Sequence, residues 1–549
     1  MKRVRKVPLL LAAFCMVNLI DSDLRAQATD INFGLAVGGK ISGVVTQDSD
    51  GQPVSGLTVE ADDISAAFFT YSAETQEDGS YTITGVPSGS YRVQVEASDT
   101  EYAGEYYNNA YDSESATPVS VTLGQTTANI DFGLAIGGKI TGVVTQDVGG
   151  LPLNGRMVYA VVYNNSTASW EGSAFTGADG SYTIAGLSPG NYKVRADDWS
   201  RIYAGEYYNN TYDTNAAAPV SVALGQTAAN INFGLAIGGE IRGVVTEDSN
   251  GQPIPNLQVS ANPYDDLIPF WGGSATTQAD GSYTIAGLSP LRHRVKVSTY
   301  GPDYADYAEE YYNNTYDYDS ATPVNVKLDQ PIENINFGLA IGGKITGVVT
   351  RASNSQPIPD IMIIAGADNA SSGSWNGFSR TQADGSYTIN GLPTGSYFVQ
   401  VWNTAGMEYA REYYNNTYDP NSATPVSVTQ GQTTANIDFD LAAGGKITGI
   451  VTRDSGGQPL SGLDVLAGPL DLSTGFWYGN TETQTNGSYT ITGLSPGRYM
   501  VRVDASDTDY AGEYYNNTYD YNSATPVYVT LGSVAGFLSP GIMILLLGN

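Results

Sequence analysis

The chain has 549 residues, too many for a single hydrophobic core, so we expect several domains. Its formal net charge of −31 excludes nucleic acid and anionic membranes as partners, because both would repel so acidic a protein. Zinc sites and histidine-dependent triads are not expected, because the one histidine lies in a single divergent repeat and the one cysteine lies in the N-terminal apolar run. Glycine (64) and tyrosine (39) are abundant while charged residues make up only 15%, which is typical of an all-β protein rich in turns.

Residues 1–28 have the pattern of a secretory signal peptide. A basic start, MKRVRK, precedes an apolar run, and the segment AQA offers small residues for cleavage. Cys15 lies in the apolar run, but the bulky Phe14 before it does not favour a lipoprotein box. We therefore expect a secreted, extracellular or cell-surface protein without disulfides.

Near-copies of one segment, ANIDFGLAIGGKITGVVT, return at intervals of roughly 100 residues, the length of a small domain. Their Gly-Gly pairs begin at Gly38, Gly137, Gly238, Gly342 and Gly444. The predicted units are a partial repeat with only a last strand at 29–38, five β-sandwich repeats at 39–137, 138–238, 239–342, 343–444 and 445–532, and an apolar tail at 533–549.

Each repeat has the pattern of short strands. In the first repeat Tyr91, Val93 and Val95 alternate with polar residues, as in a strand with one face in water. Seven such strands, separated by turns every 8 to 12 residues or so, favour a Greek-key sandwich. We predict an all-β fold of five tandem seven-stranded Greek-key β-sandwich domains in an extended array.

The two ends complement each other, because 29–38 copies a last strand and the fifth repeat lacks one. The leading segment of one molecule could complete the trailing domain of another, which predicts head-to-tail self-association. Uneven duplication of the repeats is the alternative, and we favour it. The apolar tail fits a truncated repeat better than a membrane anchor, so contact with a membrane is expected only if this tail anchors the chain.

The repeats resemble a known family. Lys40-Ile41-Ser42-Gly43-Val44 is followed by DGSYTI from Asp78 and by Gly85, Gly89 and Tyr91. This pattern resembles the carboxypeptidase regulatory-like domain, a prealbumin-like (transthyretin-like) sandwich, and is similar in outline to Cna B-type repeats and to modules of the carbohydrate-binding-like fold. The resemblance implies secretion, surface display and a spacer, adhesive or accessory role without catalysis.

Cna B-type repeats often cross-link a lysine of the first strand to Asn or Asp of the last strand. The resemblance would place the lysines at Lys40, Lys139, Lys344 and Lys446, and their partners at Asp131, Asn232, Asn336 and Asp438. Glu240 replaces the lysine in the third repeat, so we favour ordinary solvated lysines. His293 stands where other repeats have tyrosine and is interpreted as a ring that fills the same slot.

No metal or cofactor is expected. Calcium is a weak alternative, because the turns carry hard oxygen ligands at Asp48, Asp50, Asp78, Asp179, Asp280 and Asp384. Asp and Asn before glycine are what tight turns require, and we favour that interpretation.

A large aromatic residue recurs in an otherwise variable stretch, at Phe69, Trp170, Trp271, Trp375 and Trp477. Such a residue is either an anchor buried between the sheets or a platform that stacks on a sugar ring. We favour packing but keep these residues as candidate ligand-binding residues.

The motif EYYNNTYD also recurs, although it lies in a connection where free loops would be expected to vary. Its candidate ligand-binding residues are Tyr207, Tyr208, Asn209, Asn210, Tyr413, Tyr414, Asn415 and Asn416. These side chains could contact glycan hydroxyls, or they could fold the connection onto the sandwich through hydrogen bonds, which we favour.

The functional hypothesis is a secreted or cell-surface repeat protein, not an enzyme, with a structural or adhesive role and binding to polysaccharide or cell-surface glycan. The alternative is a spacer or accessory module of an extracellular carbohydrate-active or peptidase system, without ligand recognition.

Overall fold

The structure is a computed structural model that describes residues 31–64, 70–98, 100–164, 167–264, 272–299, 306–367, 375–402, 408–470, 479–506, 508–532 and 534–535. Within these ranges it contains β-strands and short 3-10 helices but no α-helix. The 3-10 helices are Thr214–Ala216, Pro420–Ser422 and Tyr521–Ser523. The predicted signal peptide and most of the apolar tail lie outside the described residues.

The strands follow the repeats in chain order. A first strand, β1 (Phe33–Leu35), precedes the first repeat. The first repeat contains β2 (Gly39–Gln47), β3 (Thr58–Asp63), β4 (Thr70–Glu74), β5 (Ser80–Val86), β6 (Gly89–Glu96), β7 (Glu105–Tyr106), β8 (Val119–Val121), β9 (Thr126–Thr127) and β10 (Phe132–Leu134). The second repeat contains β11 (Gly138–Gln146), β12 (Met157–Asn164), β13 (Thr167–Phe175), β14 (Ser181–Leu187), β15 (Gly190–Asp197), β16 (Glu206–Tyr207), β17 (Val220–Val222), β18 (Thr227–Ala228) and β19 (Phe233–Leu235).

The remaining repeats have the same order. The third contains β20 (Gly239–Glu247), β21 (Gln258–Pro263), β22 (Gly273–Thr276), β23 (Ser282–Leu288), β24 (Arg292–Ser298), β25 (Glu310–Tyr311), β26 (Val324–Asn325), β27 (Pro331–Ile332) and β28 (Phe337–Leu339). The fourth contains β29 (Gly343–Arg351), β30 (Met362–Ala367), β31 (Trp375–Arg380), β32 (Ser386–Leu392), β33 (Gly395–Trp402), β34 (Val426–Val428), β35 (Thr433–Thr434) and β36 (Phe439–Leu441). The fifth contains β37 (Gly445–Arg453), β38 (Asp464–Pro469), β39 (Gly479–Glu482), β40 (Ser488–Leu494), β41 (Gly497–Asp504), β42 (Val527–Val529) and β43 (Val534–Ala535).

Each repeat folds into two facing sheets. In the second repeat, β11 pairs antiparallel with β14 and parallel with β18 and β19. The other sheet has the order β13-β12-β15-β16, with β17 also pairing with β15. Alternating side chains of both sheets meet in one core per repeat, and five separate clusters of buried residues result. The expected all-β sandwich repeats are confirmed.

A buried tyrosine holds the last strand of each sandwich. The Tyr182 hydroxyl donates a hydrogen bond of 2.6 Å to the carbonyl oxygen of Ile231, just before β19. The equivalent bonds, at 2.5 to 2.6 Å, join Tyr81 to Ile130, Tyr283 to Ile335, Tyr387 to Ile437, and Tyr489 to Ile31. Each last strand is therefore fixed by a side chain as well as by its parallel pairing.

The fifth sandwich takes its last strand from the other end of the chain. Strand β1 pairs parallel with β37, and Phe33 lies opposite Val451 as Phe233 lies opposite Val144 in the second repeat. Ile31, Phe33 and Leu35 are at most 2% exposed and belong to the fifth core. The partial repeat thus supplies the last strand of the fifth domain, within one molecule.

At each junction the segment that leads into the next repeat is held by backbone hydrogen bonds to the repeat it leaves, as when the Gly137 amide donates to Glu101 (2.9 Å) and the Ala103 amide to Ala135 (3.0 Å). A serine of the next repeat then donates across the junction to a backbone carbonyl: Ser188 to Gly104 (2.9 Å), Ser289 to Gly205 (2.9 Å) and Ser495 to Arg411 (2.6 Å). Because the Gly-Gly pair leaves no linker, each sandwich is fixed directly on its neighbour.

The same junction also joins the fifth repeat to the first. The Gly38 amide donates to Asp509 (2.8 Å), the Ala511 amide donates to Ala36 (3.0 Å), and the Lys40 ammonium lies 3.4 Å from the Asp509 carboxylate. We expected an extended array, but these contacts close the five sandwiches into a ring. The physical reason is that β1 belongs to the fifth sandwich but runs within a few residues into β2 of the first, so these two sandwiches must be neighbours.

Candidate functional site

The recurrent aromatic positions are only partly described. Phe69, Trp271 and Trp477 lie outside the described residues. Trp170 lies in β13 opposite Val161, and Trp375 lies in β31 opposite Gly366, but their side chains are outside the described part of the structure. Packing and sugar stacking therefore both remain predictions for these residues.

The YYNN segment forms a tight hairpin. In the second repeat the Tyr207 amide donates to Thr211 (2.8 Å), and the chain reverses between them through two asparagines. Asn209 and Asn210 have positive φ values of 73° and 55°, and Asn415 and Asn416 have 73° and 59°. Asparagine is one of the few residues that adopts this left-handed conformation at low cost, which gives the turn a structural reason for two of them.

The tyrosines of this hairpin pack on the sandwich. Tyr207 is fully buried, and the Arg195 guanidinium lies 4.9 Å from its ring centroid. Tyr208 packs edge-on against Phe233 of the last strand, with ring centroids 6.3 Å apart. In the fourth repeat Tyr414 makes the same contact with Phe439 at 6.3 Å.

The remaining residues of the motif lie nearer the surface. Tyr413 is half-buried and forms isolated bridges with Gln400 and Thr417. Asn415 donates a side-chain hydrogen bond of 3.3 Å to the Thr424 hydroxyl, which ties the hairpin to the segment before β34. Asn209, Asn210 and Asn416 are exposed. The structure therefore brings the tyrosines into the domain and leaves asparagines at the surface, one hairpin per repeat.

The first residue of the motif is a buried glutamate that sequence analysis did not single out. Glu412 is 1% exposed, and burial raises the pKa of its carboxyl to about 7, although a hydrogen bond from Tyr418 opposes the shift. Its Oε1 has no hydrogen-bond partner among the described residues. Burial likewise raises the pKa to about 7 in the equivalent residues Glu105, Glu206, Glu310 and Glu513. Five-fold recurrence at one position was the signal that could have revealed them.

The candidate cross-linking residues form other contacts. Lys40 and Lys344 make ion pairs across junctions, with Asp509 and with Asp306 at 2.8 Å. Asp131 and Asp438 each accept a backbone hydrogen bond from a valine in the middle of the first strand. The equivalent bonds go from Val143 to Asn232 and from Val244 to Asn336.

His293 is fully buried in β24, where it pairs with Val324 as Tyr192 of β15 pairs with Val220. Its Nδ1 lies 3.1 Å from the Leu291 carbonyl oxygen, and burial lowers the pKa of the ring to about 4. A neutral ring in the tyrosine slot accounts for this residue.

The turn aspartates act as local caps. The Asp179 carboxylate accepts hydrogen bonds from the Ser181 amide (3.0 Å) and hydroxyl (2.6 Å), and Asp384 accepts the same pair from Ser386. Among the described residues, no group of three or more His, Cys, Asp or Glu side chains could hold a metal ion.

A cleft lies between the second and third repeats. It has a volume of about 650 Å³ and is lined on one side by Trp199, Arg201 and Tyr203, and on the other by Gly273 and Ser289. The Trp199 side chain is 69% exposed, and its ring meets that of the exposed Phe175 edge-on, with centroids 6.3 Å apart. Sequence analysis missed this pair because Trp199 lies outside the recurrent aromatic position.

Comparison with known proteins identifies the family. The model of the carboxypeptidase regulatory-like domain matches residues 40–135, 240–337 and 344–442, more than half of the chain. The chain belongs to the carboxypeptidase regulatory-like domain family. Each match begins in the first strand of a sandwich and reaches its last strand, so the domains of this family coincide with the structural repeats.

The chain is also similar, at low sequence identity, to one curated protein and to several solved structures. Colossin-A of Dictyostelium discoideum is 22% identical over an alignment of 525 residues that covers 88% of this chain but only 4% of Colossin-A. The Bacillus anthracis TIE protein is 13% identical, with 74% of this chain and 69% of that chain covered and a TM-score of 0.17. GBS52, the minor pilin of Streptococcus agalactiae, is 13% identical, with 37% and 95% covered and a TM-score of 0.22. Such low TM-scores say nothing about the function of this chain.

In the described part of the chain, no helix has the length and hydropathy needed to cross a membrane.

Proposed function

We propose that this regulatory-like domain protein is a non-catalytic extracellular scaffold, which holds five similar sandwiches in a fixed ring and presents their loops to polysaccharide. The observation that supports the scaffold role is the use of the recurrent side chains. Each of these side chains stabilises its own domain. The buried tyrosines equivalent to Tyr182 hold the last strand, the hairpin tyrosines pack on it, and the hairpin asparagines and turn aspartates shape the turns.

The binding role is assigned to exposed aromatic side chains that the architecture does not use. Trp199 and Phe175 present a broad apolar surface beside polar and charged groups of the interdomain cleft. A sugar ring has apolar faces and hydroxyl edges, so an exposed indole next to Arg201 suits it in shape and chemistry. The recurrent tryptophans Trp170, Trp271, Trp375 and Trp477 would add further weak contacts, and a ring of weak sites gains avidity on a repetitive polymer.

Retention of the protein on insoluble polysaccharides and on glycan arrays tests this proposal. We expect the protein to be retained, and Trp199→Ala to weaken retention at least tenfold without changing thermal unfolding. Tyr528→Ala is the matched control, because Tyr528 is also exposed (57%) but lies far along the chain in β42. A variant with all four recurrent tryptophans changed to alanine measures their share in the same assay.

A lack of retention on every polysaccharide would contradict the binding role and favour the alternative, a spacer or accessory module without recognition. Equal loss of retention in Trp199→Ala and Tyr528→Ala would show that the cleft is not a specific binding site for polysaccharide.

A further inference from the structure

Strand β1 completes the fifth domain through non-covalent contacts, and no short stretch of chain links this strand to that domain. Its backbone pairs with β37, the Ile31 amide donates to Thr448 (3.0 Å), and the Asn32 side chain accepts from the Ile450 amide (2.9 Å). The partners of each contact are more than 400 residues apart in the chain. Closure of the ring is therefore non-covalent, whereas the chain itself runs through the other four junctions.

The contacts at this closure match those made inside the chain. Phe33 packs against Tyr489 and edge-on against Tyr515, with centroids 6.3 and 6.1 Å apart, as Phe132 packs against Tyr81 and Tyr107. The fifth domain therefore has a complete acceptor site for a last strand. Without an occupant, that site would expose the sheet edge along β37 and the apolar core beneath it.

A donated strand would bring the rest of the interface with it. Residues 36–38 lead from β1 directly into the first domain, and that domain meets the fifth through Gly38, Lys40 and the Thr84 hydroxyl, which donates to Thr508 (3.3 Å). A copy that inserts its β1 into the fifth domain of another copy therefore places its own first domain against that acceptor with the same hydrogen bonds, once the acceptor's own β1 and first domain have moved away. The closure contacts inside one molecule and between two molecules are equivalent, and linkage additionally requires another junction of the acceptor to bend so that its displaced first domain leaves room.

We propose that the fifth domain is an acceptor site for the N-terminal strand of a second copy of this chain, so that copies join head to tail through the interface that otherwise closes the ring. Because the contacts are equivalent, chain concentration decides between the two forms. A strand attached to the same molecule has an effective concentration in the millimolar range, so dilute protein is a closed monomer. Refolding at high concentration populates linked copies, as in other exchanges of an identical element.

Engineered disulfides can report which copy supplies the strand. A Cβ built at Gly34 would lie 3.9 Å from Cβ of Asp454, within the range of a disulfide, and Gly34 does not have a positive φ. The equivalent control pair in the first domain is Gly133 with Asp48, whose Cβ separation is also 3.9 Å. All variants are made in the full chain carrying Cys15→Ser, so that no native thiol interferes.

The decisive experiment mixes two single variants, Gly34→Cys and Asp454→Cys, unfolds them together in urea, refolds them at low and high protein concentration, and oxidises them with glutathione disulfide. Only a strand supplied by another copy can then form the disulfide. We expect non-reducing electrophoresis to show a covalent dimer whose yield rises with the refolding concentration. A mixture of Gly133→Cys and Asp48→Cys should give at least tenfold less dimer, because β10 follows β9 of its own domain after a short connection and is not supplied by a distant part of the chain.

The double variant Gly34→Cys with Asp454→Cys, refolded at low concentration, should form an internal disulfide and remain monomeric. Absence of dimer from the mixed terminal variants at every concentration would overturn the proposal. Equal dimer from the control mixture would also overturn it, because exchange would then be a general property of the sandwiches. Failure of the double variant to form its internal disulfide would contradict the closure itself.

Discussion

At the scale of single residues, the buried glutamates are the groups whose ionisation matters most to the fold. Each lies in a hairpin that also carries the packed tyrosines, and a tyrosine six positions later bonds to the carboxyl in the first four repeats. A carboxyl without full solvation favours its neutral form, so the folded protein keeps a proton that the unfolded chain releases. The fold is thereby linked to pH near neutrality.

The sign of this effect follows from the pKa of Glu412, which is about 7 in the folded protein against an ordinary 4.5. Between these values the folded state binds more protons than the unfolded state, so the free energy of unfolding falls as pH rises. The stabilisation is fully present below about pH 4.5 and is lost above about pH 7. A pKa shift of this size corresponds to a change in the free energy of unfolding on the order of 3 kcal/mol.

Glu412→Gln should therefore flatten the dependence of stability on pH in the fourth domain, because glutamine cannot ionise. Urea unfolding at pH 5, 6, 7 and 8 measures this, and the exposed Glu408→Gln is the control. Parallel pH profiles for the wild type and Glu412→Gln would show that the buried carboxyl is not the source.

The hairpin asparagines allow a second test. Asn416 is exposed and has a φ of 59°, so its role is conformational rather than one of packing. Asn416→Ala should destabilise the fourth domain by about 1 kcal/mol, since alanine adopts a positive φ only at a cost, whereas Asn416→Gly should be close to neutral. Thermal unfolding of both variants decides the matter. Equal destabilisation by both would point to a side-chain role for Asn416 instead.

At the scale of elements, the strands could be predicted from the sequence because apolar and polar side chains alternate along each strand, and this pattern involves only residues that are close in the chain. In β6, for example, Tyr91, Val93 and Val95 are buried as their spacing indicated. The buried glutamate of the EYYNNTYD motif was missed because a carboxyl in a polar motif is expected to be exposed, and only the packing around it shows that it is buried. The pairing of β1 with β37 within one molecule was beyond prediction, because sequence complementarity does not say which copy supplies the strand.

The junctions depend on close approach of backbones. Gly186 has a φ of 73°, and a Cβ there would lie 2.5 Å from the Thr100 carbonyl oxygen of the preceding domain. Gly186→Ala should therefore loosen the junction between the first and second domains and increase proteolytic cleavage there. Gly225→Ala is the matched control, because Gly225 has a similar φ of 63° but open space around its Cβ position. If both variants were cleaved at the wild-type rate, the close contact would not be what holds the junction.

At the scale of the whole molecule, the fixed arrangement of the five domains depends on closure of the ring. Four junctions are enforced by the chain, and the fifth is made by a strand whose buried residues, Ile31, Phe33 and Leu35, complete a core that would otherwise be open. Burial of three such side chains contributes several kcal/mol, at roughly 1.5 to 3 kcal/mol each. The scaffold role needs this rigidity, because fixed spacing between loops is what separates a ring from a flexible string of domains.

The measurement that tests closure most directly is small-angle X-ray scattering of dilute monomer. Treating each repeat as a sphere with a radius of gyration of roughly 13 Å gives a ring with a maximum dimension of roughly 90 Å and an open row of roughly 170 Å. We predict a maximum dimension near the smaller value and a distance distribution with a shoulder from opposite domains. A maximum near 170 Å in the monomer would contradict the closed ring.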